Sequence, residues 1–247
     1  MNPKPKHIDI NADLGEGTGN DIYIMPHISS CSIACGGHFG NEKTMQTAIA
    51  LAKEHNVKVG AHPSFPDTNN FGRKVLTMTK SELTDAVFHQ VLRFQAVCET
   101  EDALMHHVKL HGALYNYAAI DAPTADAVLE GIIATKRRPK LYVPFNSILA
   151  KKAKNLLPLV YEAFIDRRYT NELTLVSRTE ENALIDNRQE AWKQLYAMVM
   201  LNEITTDKGE KKKIRANTFC IHGDHLHSVE ILQYLRLKLM EHSIKVE

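Results

Sequence analysis

The segment Ile8-Asp-Ile-Asn-Ala-Asp-Leu-Gly-Glu16 carries the pattern that decides the fold. A short strand-like run ends here in acidic residues and a glycine. Five later apolar runs are also followed by polar residues or glycine. The residues that follow these runs are Gly36-Gly-His38, His62-Pro63, Gly112, Asp166-Arg167 and His222-Gly-Asp224. Polar groups collected at the carboxyl ends of successive parallel strands form the active sites of α/β barrels. The sequence therefore predicts an enzyme built on such a barrel.

Strand-like and helix-like segments alternate, which predicts βαβ units and a parallel sheet. The strand candidates are residues 8–14, 32–35, 57–61, 105–111, 141–145, 159–165 and 218–221. The helix candidates are residues 41–55, 79–102, 121–136, 146–155, 187–202 and 227–242, with caps expected at Asn41, Thr79, Asp121 and Asn146. Seven βα steps predict a distorted or incomplete seven-stranded parallel (β/α) barrel, and a doubly wound open sheet is the alternative. We expect residues 173–177 to form a short strand or an insertion, and residues 208–213 to form a solvated loop.

Length and composition fit one barrel domain over residues 1–247. The formal net charge of +1 gives no reason to expect a nucleic acid or an anionic membrane as a partner. No apolar run is long enough to cross a membrane, and the first six residues lack the apolar stretch of a signal peptide. The four cysteines form no C-x-x-C pair, so we expect reduced thiols in the cytoplasm, with a Cys31–Cys35 disulfide as the alternative.

Two strands carry polar residues at alternate positions, although strands of a parallel sheet are normally apolar on both faces. These residues are Asp9, Asn11 and Asp13 in the first strand, and His107, Lys109 and His111 in the fourth. Burying unpaired charge costs several kcal/mol, so these groups must pair, bind a ligand or hold a metal. We expect Asp9 to lie in a buried network at the far end of the barrel. For His107, a position that faces a helix or solvent is an equally open alternative to an inward, functional one.

Catalytic groups are expected toward the strand ends. Asp13 and Glu16 form a carboxylate pair whose pKa values can separate, which would divide acid and base roles between them. Lys109 is a candidate for stabilising an oxyanion or holding a substrate carboxylate. His62 and His111 are candidate proton shuttles or metal ligands, because imidazole serves both purposes near neutral pH.

Other residue types indicate ligand binding. A metal would draw on Asp13, His38, His62 and His111, although no H-E-x-x-H spacing supports such a site. The substrate-binding candidates are Asn11, His38, Arg73, Asp166, Arg167, His222 and Asp224. Cys35 is a possible nucleophile, but small buried cysteines more often serve packing. No P-loop and no strand-linked G-x-G-x-x-G motif is present, so the sequence offers no recognised nucleotide site.

Several of these stretches together resemble the LamB/YcsF family. In the first half they are Asp9-Ile-Asn-Ala-Asp-Leu-Gly-Glu16, Ile33-Ala-Cys-Gly-Gly-His38, Gly60-Ala-His-Pro-Ser-Phe-Pro-Asp67, Phe71-Gly-Arg73 and Val108-Lys-Leu-His-Gly-Ala-Leu-Tyr-Asn116. In the second half they are Glu162-Ala-Phe-Ile-Asp-Arg167, Leu175-Val-Ser-Arg178 and Cys220-Ile-His-Gly-Asp224. The resemblance runs in order over nearly the whole chain.

The resemblance implies one subunit of a bacterial ATP-dependent 5-oxoprolinase, which opens 5-oxoproline to glutamate together with partner subunits B and C. ATP would then be a co-substrate bound by the partners. A divalent metal and a homo-oligomer are further possibilities. The implied fold is similar to the seven-stranded barrels of the glycoside hydrolase/deacetylase superfamily. Two alternatives stay open, a metal-dependent deacetylase or other carbohydrate hydrolase, and a non-catalytic subunit that only binds substrate.

Three positions depart from the pattern that the resemblance implies. Gly37 stands where a bulky aromatic residue is common, Phe39-Gly-Asn41 replaces Ala-Gly-Asp, and Leu110 stands where proline often precedes the histidine. We expect the first two changes to reshape the pocket around His38, and the third to alter backbone stiffness.

Overall fold

The computed structural model describes residues 6–247. The prediction about a signal peptide concerned residues 1–6, and residues 1–5 of that segment lie outside the described range. Ten strands are present in it: β1 (Lys6–Leu14), β2 (Ser30–Ala34), β3 (Lys58–His62), β4 (Met105–Lys109), β5 (Lys140–Pro144), β6 (Leu159–Phe164), β7 (Glu203–Thr205), β8 (Lys211–Lys213), β9 (Thr218–His222) and β10 (Ile244–Val246). Strands β1 to β6 and β9 are parallel and follow one another around a ring, which the β9–β1 pairing closes. The predicted seven-stranded parallel barrel is confirmed, and this closure rules out an open sheet for the described part of the chain.

The helices are α1 (Asp21–Ile24), α2 (Glu42–Glu54), α3 (Lys80–Thr100), α4 (Gly112–Ile120), α5 (Ala122–Ala134), α6 (Ile148–Ala153), α7 (Arg188–Tyr196) and α8 (Ser228–Glu241). Asn41 and Thr79 form capping boxes, and the Asp121 side chain accepts from the Thr124 main-chain N–H, so these three predicted caps are confirmed. The cap expected at Asn146 is wrong, because Ser147 caps α6 instead. Helices α1 and α4 were not predicted.

Two other local predictions need correction, and for residues 173–177 the structure supports the alternative of an insertion over that of a strand. The fourth strand ends at Lys109, so His111 lies beyond it and precedes α4. Residues 173–177 form no regular strand, since Leu175 makes only an isolated bridge to Tyr169 within the insertion after β6. The charged run is not wholly a loop, because Lys211–Lys213 pairs with β7 in an antiparallel hairpin.

The barrel interior is unusually polar at its amino end. Asp9 accepts hydrogen bonds of 2.8 Å from both Ser29 and Ser30, which confirms the network predicted there. His107 is fully buried, so of its two alternatives the structure supports the inward position and not the one that faces a helix or solvent. Its ring stacks on Tyr142 with centroids 4.0 Å apart and lies 3.2 Å from the Ser32 hydroxyl, because the inner face of β4 points into the barrel.

All four cysteines are buried free thiols, so the alternative of a Cys31–Cys35 disulfide is wrong. Across residues 6–247, every helix is too short or too polar to cross a membrane.

Candidate active site

Three histidines and two carboxylates converge at the carboxyl end of the barrel. Glu16 Oε1 lies 2.9 Å from His38 Nε2, 3.2 Å from His111 Nδ1 and 3.8 Å from His62 Nε2. His62 Nε2 lies 3.1 Å from His111 Nδ1 and 3.5 Å from Asp13 Oδ2. We call Asp13, Glu16, His38, His62 and His111 the histidine–carboxylate cluster. The sequence places these residues at four separate strand ends, and the fold brings them together.

The cluster is buried, and its members shift one another's ionisation. Burial raises the pKa of Glu16, but hydrogen bonds from His111 and His38 outweigh it and hold the pKa well below its usual value. Burial lowers the pKa of His38 to about 4 and also lowers that of His111. Burial opposes charge on His62 too, yet the carboxylate of Asp13 leaves its pKa raised. The surroundings therefore favour ionised carboxylates in the cluster, disfavour charge on His38 and His111, and favour charge on His62.

Three cluster atoms have the spacing of metal ligands. Glu16 Oε1, His62 Nε2 and His111 Nδ1 are separated by 3.1, 3.2 and 3.8 Å. Tetrahedral ligands about 2.1 Å from a zinc ion would be separated by about 3.4 Å. Catalytic zinc ions are also commonly bound by two imidazoles and one carboxylate, with the fourth ligand position left for water or substrate. Glu16, His62 and His111 fit a divalent metal in both geometry and chemistry. Of the four predicted metal candidates, His62 and His111 belong to this set and Asp13 and His38 do not, whereas Glu16 was not predicted as a ligand.

Lys109 is the centre of an ion network beneath the cluster. Its ammonium lies 2.8 Å from Asp13 Oδ1, 2.9 Å from Glu162 Oε1, 3.2 Å from Asn11 Oδ1 and 3.0 Å from Cys220 Sγ. Burial opposes the charge, but the carboxylate of Asp13 holds the pKa of Lys109 well above its usual value. An ammonium has three N–H groups, and these four neighbours engage them, so Lys109 holds Asp13 in place at the edge of the cavity that both residues line.

Asn11 also lies inside this network rather than on the cavity wall. Its amide donates to Glu162 at 2.9 Å and to Thr218 at 2.7 Å. Glu162, fully enclosed and bound to Lys109, is a residue that the sequence analysis did not single out. The sequence did contain a sign of its importance, because Glu162 is a charged residue in the middle of a strand whose other residues are mostly apolar or aromatic.

A second histidine–carboxylate pair stands apart from the cluster. His222 donates to the buried Asp166 through Nδ1 and through its main-chain N–H, both at 2.9 Å. Burial raises the pKa of Asp166, but the charge of His222 outweighs it and holds the pKa below its usual value. The His222 ring stacks on Phe164 and lines the cavity, so Asp166 reaches the cavity only through His222. An orienting carboxylate behind an imidazole is the arrangement of a general acid–base pair.

The cluster opens into a cavity of about 490 Å³ with a cationic rim. Arg73 and Arg178 both reach Asp224, with Arg178 Nη1 at 3.6 Å. Arg167 lines the same cavity but is almost enclosed, and it donates to the Val176 carbonyl. Burial, followed by the charge of Arg178, lowers the pKa of Arg167 to about 10. Three guanidinium groups against the single carboxylate of Asp224 at the rim favour an anionic ligand there, whereas the carboxylates of Asp13 and Glu16 lie at the floor of the cavity. Arg178 was not among the predicted binding residues.

Two of the unusual positions near His38 have direct neighbours. A Cβ on Gly37 would lie 2.2 Å from Gln90 Oε1, and Gln90 is itself held by two hydrogen bonds to the backbone of Ser64. The Phe39 ring packs on Gly17, where a Cβ would lie 2.4 Å from it. Phe39 therefore supports the loop that carries Glu16.

Cys35 is not placed for nucleophilic chemistry. It is fully buried, and burial raises its pKa to about 12, so the thiol stays protonated at neutral pH.

Comparison with known proteins agrees with this geometry. The family model described as LamB/YcsF family matches residues 8–247. A relative from Bacillus cereus (strain ATCC 10987 / NRS 248), which is named as the A subunit of 5-oxoprolinase, is 42% identical over 233 residues, which are 92% of each chain. The crystal structure of the lactam utilization protein from Thermus thermophilus superposes with a TM-score of 0.90 at 33% identity, covering 98% of this chain and 99% of that one.

A chitin deacetylase from Colletotrichum lindemuthianum has the same fold, with a TM-score of 0.51 at 10% identity over 99% of this chain and 86% of that one. At that identity the likeness concerns the barrel alone. The match of the family model, by contrast, includes every residue of the histidine–carboxylate cluster and of the rim. This chain belongs to the LamB/YcsF family.

Proposed function

We propose that this chain is the A component of an ATP-dependent 5-oxoprolinase and that it opens the lactam of 5-oxo-L-proline to L-glutamate with partner subunits B and C. The observation that carries the proposal is the histidine–carboxylate cluster at the floor of a cavity rimmed by arginines. The names of the relatives support the same substrate.

The cavity suits a small cyclic amide that bears a carboxylate. The substrate carboxylate would bind Arg73 and Arg178, which Asp224 holds side by side at the rim. Binding at the rim leaves the lactam carbonyl to face Glu16 and His111, both of which line the cavity. Holding the reacting carbon next to its attacking group accounts for a large part of many enzymatic rate enhancements.

Ring opening needs a water to attack the carbonyl carbon and a proton to reach the leaving nitrogen. Glu16 would orient the attacking water, and a proton of that water would pass to His111. The lowered pKa of His111 leaves its ring neutral, so the ring can accept the proton. As the bond between the carbonyl carbon and the ring nitrogen breaks, His222 would give the nitrogen a proton, with Asp166 stabilising the imidazolium. Lys109 acts through Asp13, which adjoins His62.

A divalent metal, when bound, would be held by Glu16, His62 and His111, and it would polarise the carbonyl or acidify the attacking water. This fit favours a second candidate function, a metal-dependent hydrolase that works without ATP. Metal analysis of the purified chain and glutamate formation without ATP, before and after chelation, separate the two functions.

ATP would act through the partners, since this sequence has no recognised nucleotide motif. Hydrolysis of ATP supplies the driving force for opening a stable five-membered lactam.

Glutamate formation from 5-oxoproline and ATP tests the proposal. The assay compares this chain alone, subunits B and C alone, and all three together. We expect glutamate only from the complete mixture, and loss of it when the chain carries His111→Gln. The matched control is His89→Gln, an exposed histidine on α3. A complete, assembled mixture that forms no glutamate contradicts the proposed reaction, and full activity of His111→Gln removes the cluster from it.

A further inference from the structure

A second cavity of about 450 Å³ adjoins the active-site cavity. It lies between α4, the carboxyl end of β5 and the insertion that follows β6. The two cavities share part of their walls, and the residues that line both are Tyr115, Asn116, Phe164, Leu175 and Ser177. We call the second cavity the Tyr115 chamber.

The two cavities differ in charge. The arginines of the rim line the active-site cavity, whereas the charged side chains that line the Tyr115 chamber are the carboxylates of Glu162 and Glu172. In the described part of the chain, the lining of the chamber includes no lysine, arginine or histidine. A ligand that spans both cavities would therefore place its negative groups at the rim and a positive group in the chamber.

Two buried oxygen atoms of the chamber wall have unused hydrogen-bonding capacity. Glu162 is 2% exposed, and its Oε1 accepts from Asn11 at 2.9 Å and lies 2.9 Å from the Lys109 ammonium. Within residues 6–247, Glu162 Oε2 and the Tyr115 hydroxyl have no hydrogen-bond partner. Buried polar atoms are almost always hydrogen-bonded, so these two oxygens indicate a ligand group that donates to them.

The Tyr115 hydroxyl and the Glu162 carboxylate also lie close enough to affect each other. Burial, followed by the negative charge of Glu162, holds the pKa of Tyr115 well above its usual value, so the phenol stays protonated. A phenol that turns its hydrogen toward a carboxylate still has lone pairs that accept. Both residues can therefore accept from the same donor at once.

The Phe164 ring connects this wall to the residue that would protonate the leaving nitrogen. His222 stacks on Phe164 with ring centroids 5.1 Å apart, and Tyr115 meets the same ring edge-on at 5.6 Å. Aromatic faces attract cations as well as apolar groups. A cationic group formed beside His222 would thus have an aromatic wall that leads to Tyr115.

We propose that the Tyr115 chamber binds the primary ammonium group of an amino-acid ligand whose carboxylates are held at the cationic rim. The ammonium donates to Glu162 Oε2 and to the Tyr115 hydroxyl. Hydrogen bonds in which the donor or the acceptor is ionised are shorter and stronger than neutral ones, so this end of the ligand contributes affinity as well as orientation.

In the proposed reaction this ligand is the product, and that identification rests on the proposed function. The lactam nitrogen carries one hydrogen. When its bond to the carbonyl carbon breaks, the nitrogen gains a second hydrogen from His222 and, at neutral pH, a third from solvent. L-glutamate therefore has an ammonium group that 5-oxoproline lacks, and the Tyr115 chamber distinguishes the product from the substrate.

Calorimetric titration of the full chain with L-glutamate and with glutarate tests the proposal. Glutarate has the same two carboxylates on a carbon chain of the same length, and it lacks the ammonium group. The rim alone would favour glutarate, which has the larger net negative charge, so a preference for L-glutamate reports the ammonium contact. We expect L-glutamate to bind about tenfold more tightly than glutarate, or tighter still.

The variants locate the contact. Tyr115→Phe removes the hydroxyl, so it should weaken L-glutamate binding about tenfold and change glutarate binding about twofold or less. The matched control is Tyr117→Phe, the same substitution two residues along α4 at a position that lines neither cavity, and it should bind both ligands as the wild type does. Arg178→Gln should weaken both ligands alike, because it acts on the carboxylate end.

Equal binding of L-glutamate and glutarate by the wild-type chain overturns the proposal, whether or not Tyr115→Phe folds. Tighter binding of glutarate, or no measurable binding of L-glutamate, overturns it as well. A folded Tyr115→Phe chain that keeps the wild-type preference also counts against it. The titrations need no ATP, 5-oxoproline or partner, so their outcome is distinct from that of the assay for glutamate formation.

Discussion

Replacing Lys109 with methionine is the sharpest test of how the barrel interior supports the site. The Lys109 ammonium is fully enclosed and lies 2.8 Å from Asp13 and 2.9 Å from Glu162, both also buried. Lys109→Met keeps the length and removes the charge, so two carboxylates are left in the barrel without their cation. Removing one partner of a buried ion pair costs about 3–5 kcal/mol, because the remaining charge is uncompensated.

We therefore expect Lys109→Met to lower the free energy of unfolding by about 3–5 kcal/mol and the Tm by about 10 °C. Urea unfolding at pH 7 measures the loss. The control is Lys80→Met, because Lys80 and its partner Glu130 are each 54% exposed and such pairs contribute about 0–1 kcal/mol.

A second substitution tests the physical cause. Adding Glu162→Gln to Lys109→Met removes one uncompensated charge, so part of the lost stability should return. The reasoning is refuted if Lys109→Met unfolds within about 1 kcal/mol of the wild type, or if Glu162→Gln destabilises the double variant further.

The remaining predictions concern pH, proton transfer and substrate binding. Burial lowers the pKa of His38 in the folded chain to about 4, from an ordinary value of 6.5, so on acidification the unfolded chain takes up this proton first. The free energy of unfolding should therefore fall by about 2 kcal/mol between pH 7 and pH 5. Urea unfolding of His38→Gln at both pH values should lack this decrease, and a pH dependence equal to that of the wild type would show that His38 does not titrate in this way. Asp166→Asn removes the carboxylate that orients His222, so kcat should fall about 10- to 100-fold with KM nearly constant, whereas a change in KM alone would make the pair a binding element. Arg178→Gln should raise KM roughly tenfold with little change in kcat, and steady-state kinetics that leave KM unchanged would remove Arg178 from substrate binding.

Alternating patterns in the sequence were sufficient to predict the barrel and most of the cluster. Period-two polarity in 8–14 placed Asp13 on the polar face of the first predicted strand, and the ends of the strands predicted over 32–35, 57–61 and 105–111 identified the three histidines. These features depend only on residues that are close together in the chain, so they can be recognised in a single sequence. Helix α4 was missed because nearly all of its residues are apolar, so it shows no clear helical periodicity, and because His111 gives it no side-chain cap. The prediction that residues 1–247 form one domain stays a prediction.

Features that depend on distant packing left little or no trace in the sequence. Arg178 lies in an irregular insertion, and only the fold brings it to Asp224. The Phe71 carbonyl is a backbone group, so its bond to His111 has no signature in residue type. The ion pair between Lys109 and Glu162 has no local signature either, because Glu162 lies 53 positions away, in a strand two places along the barrel wall.

The most direct test of the central claim is the effect of Glu16→Gln on the reconstituted complex. The substitution keeps the size of the side chain and removes the negative charge that His38 and His111 face. If the cluster performs ring opening, glutamate formation should fall by about 100-fold or more while assembly with the partners and the affinity for 5-oxoproline are retained. Glutamate formation within about twofold of the wild type would contradict the account, because these side chains would then be dispensable for the reaction.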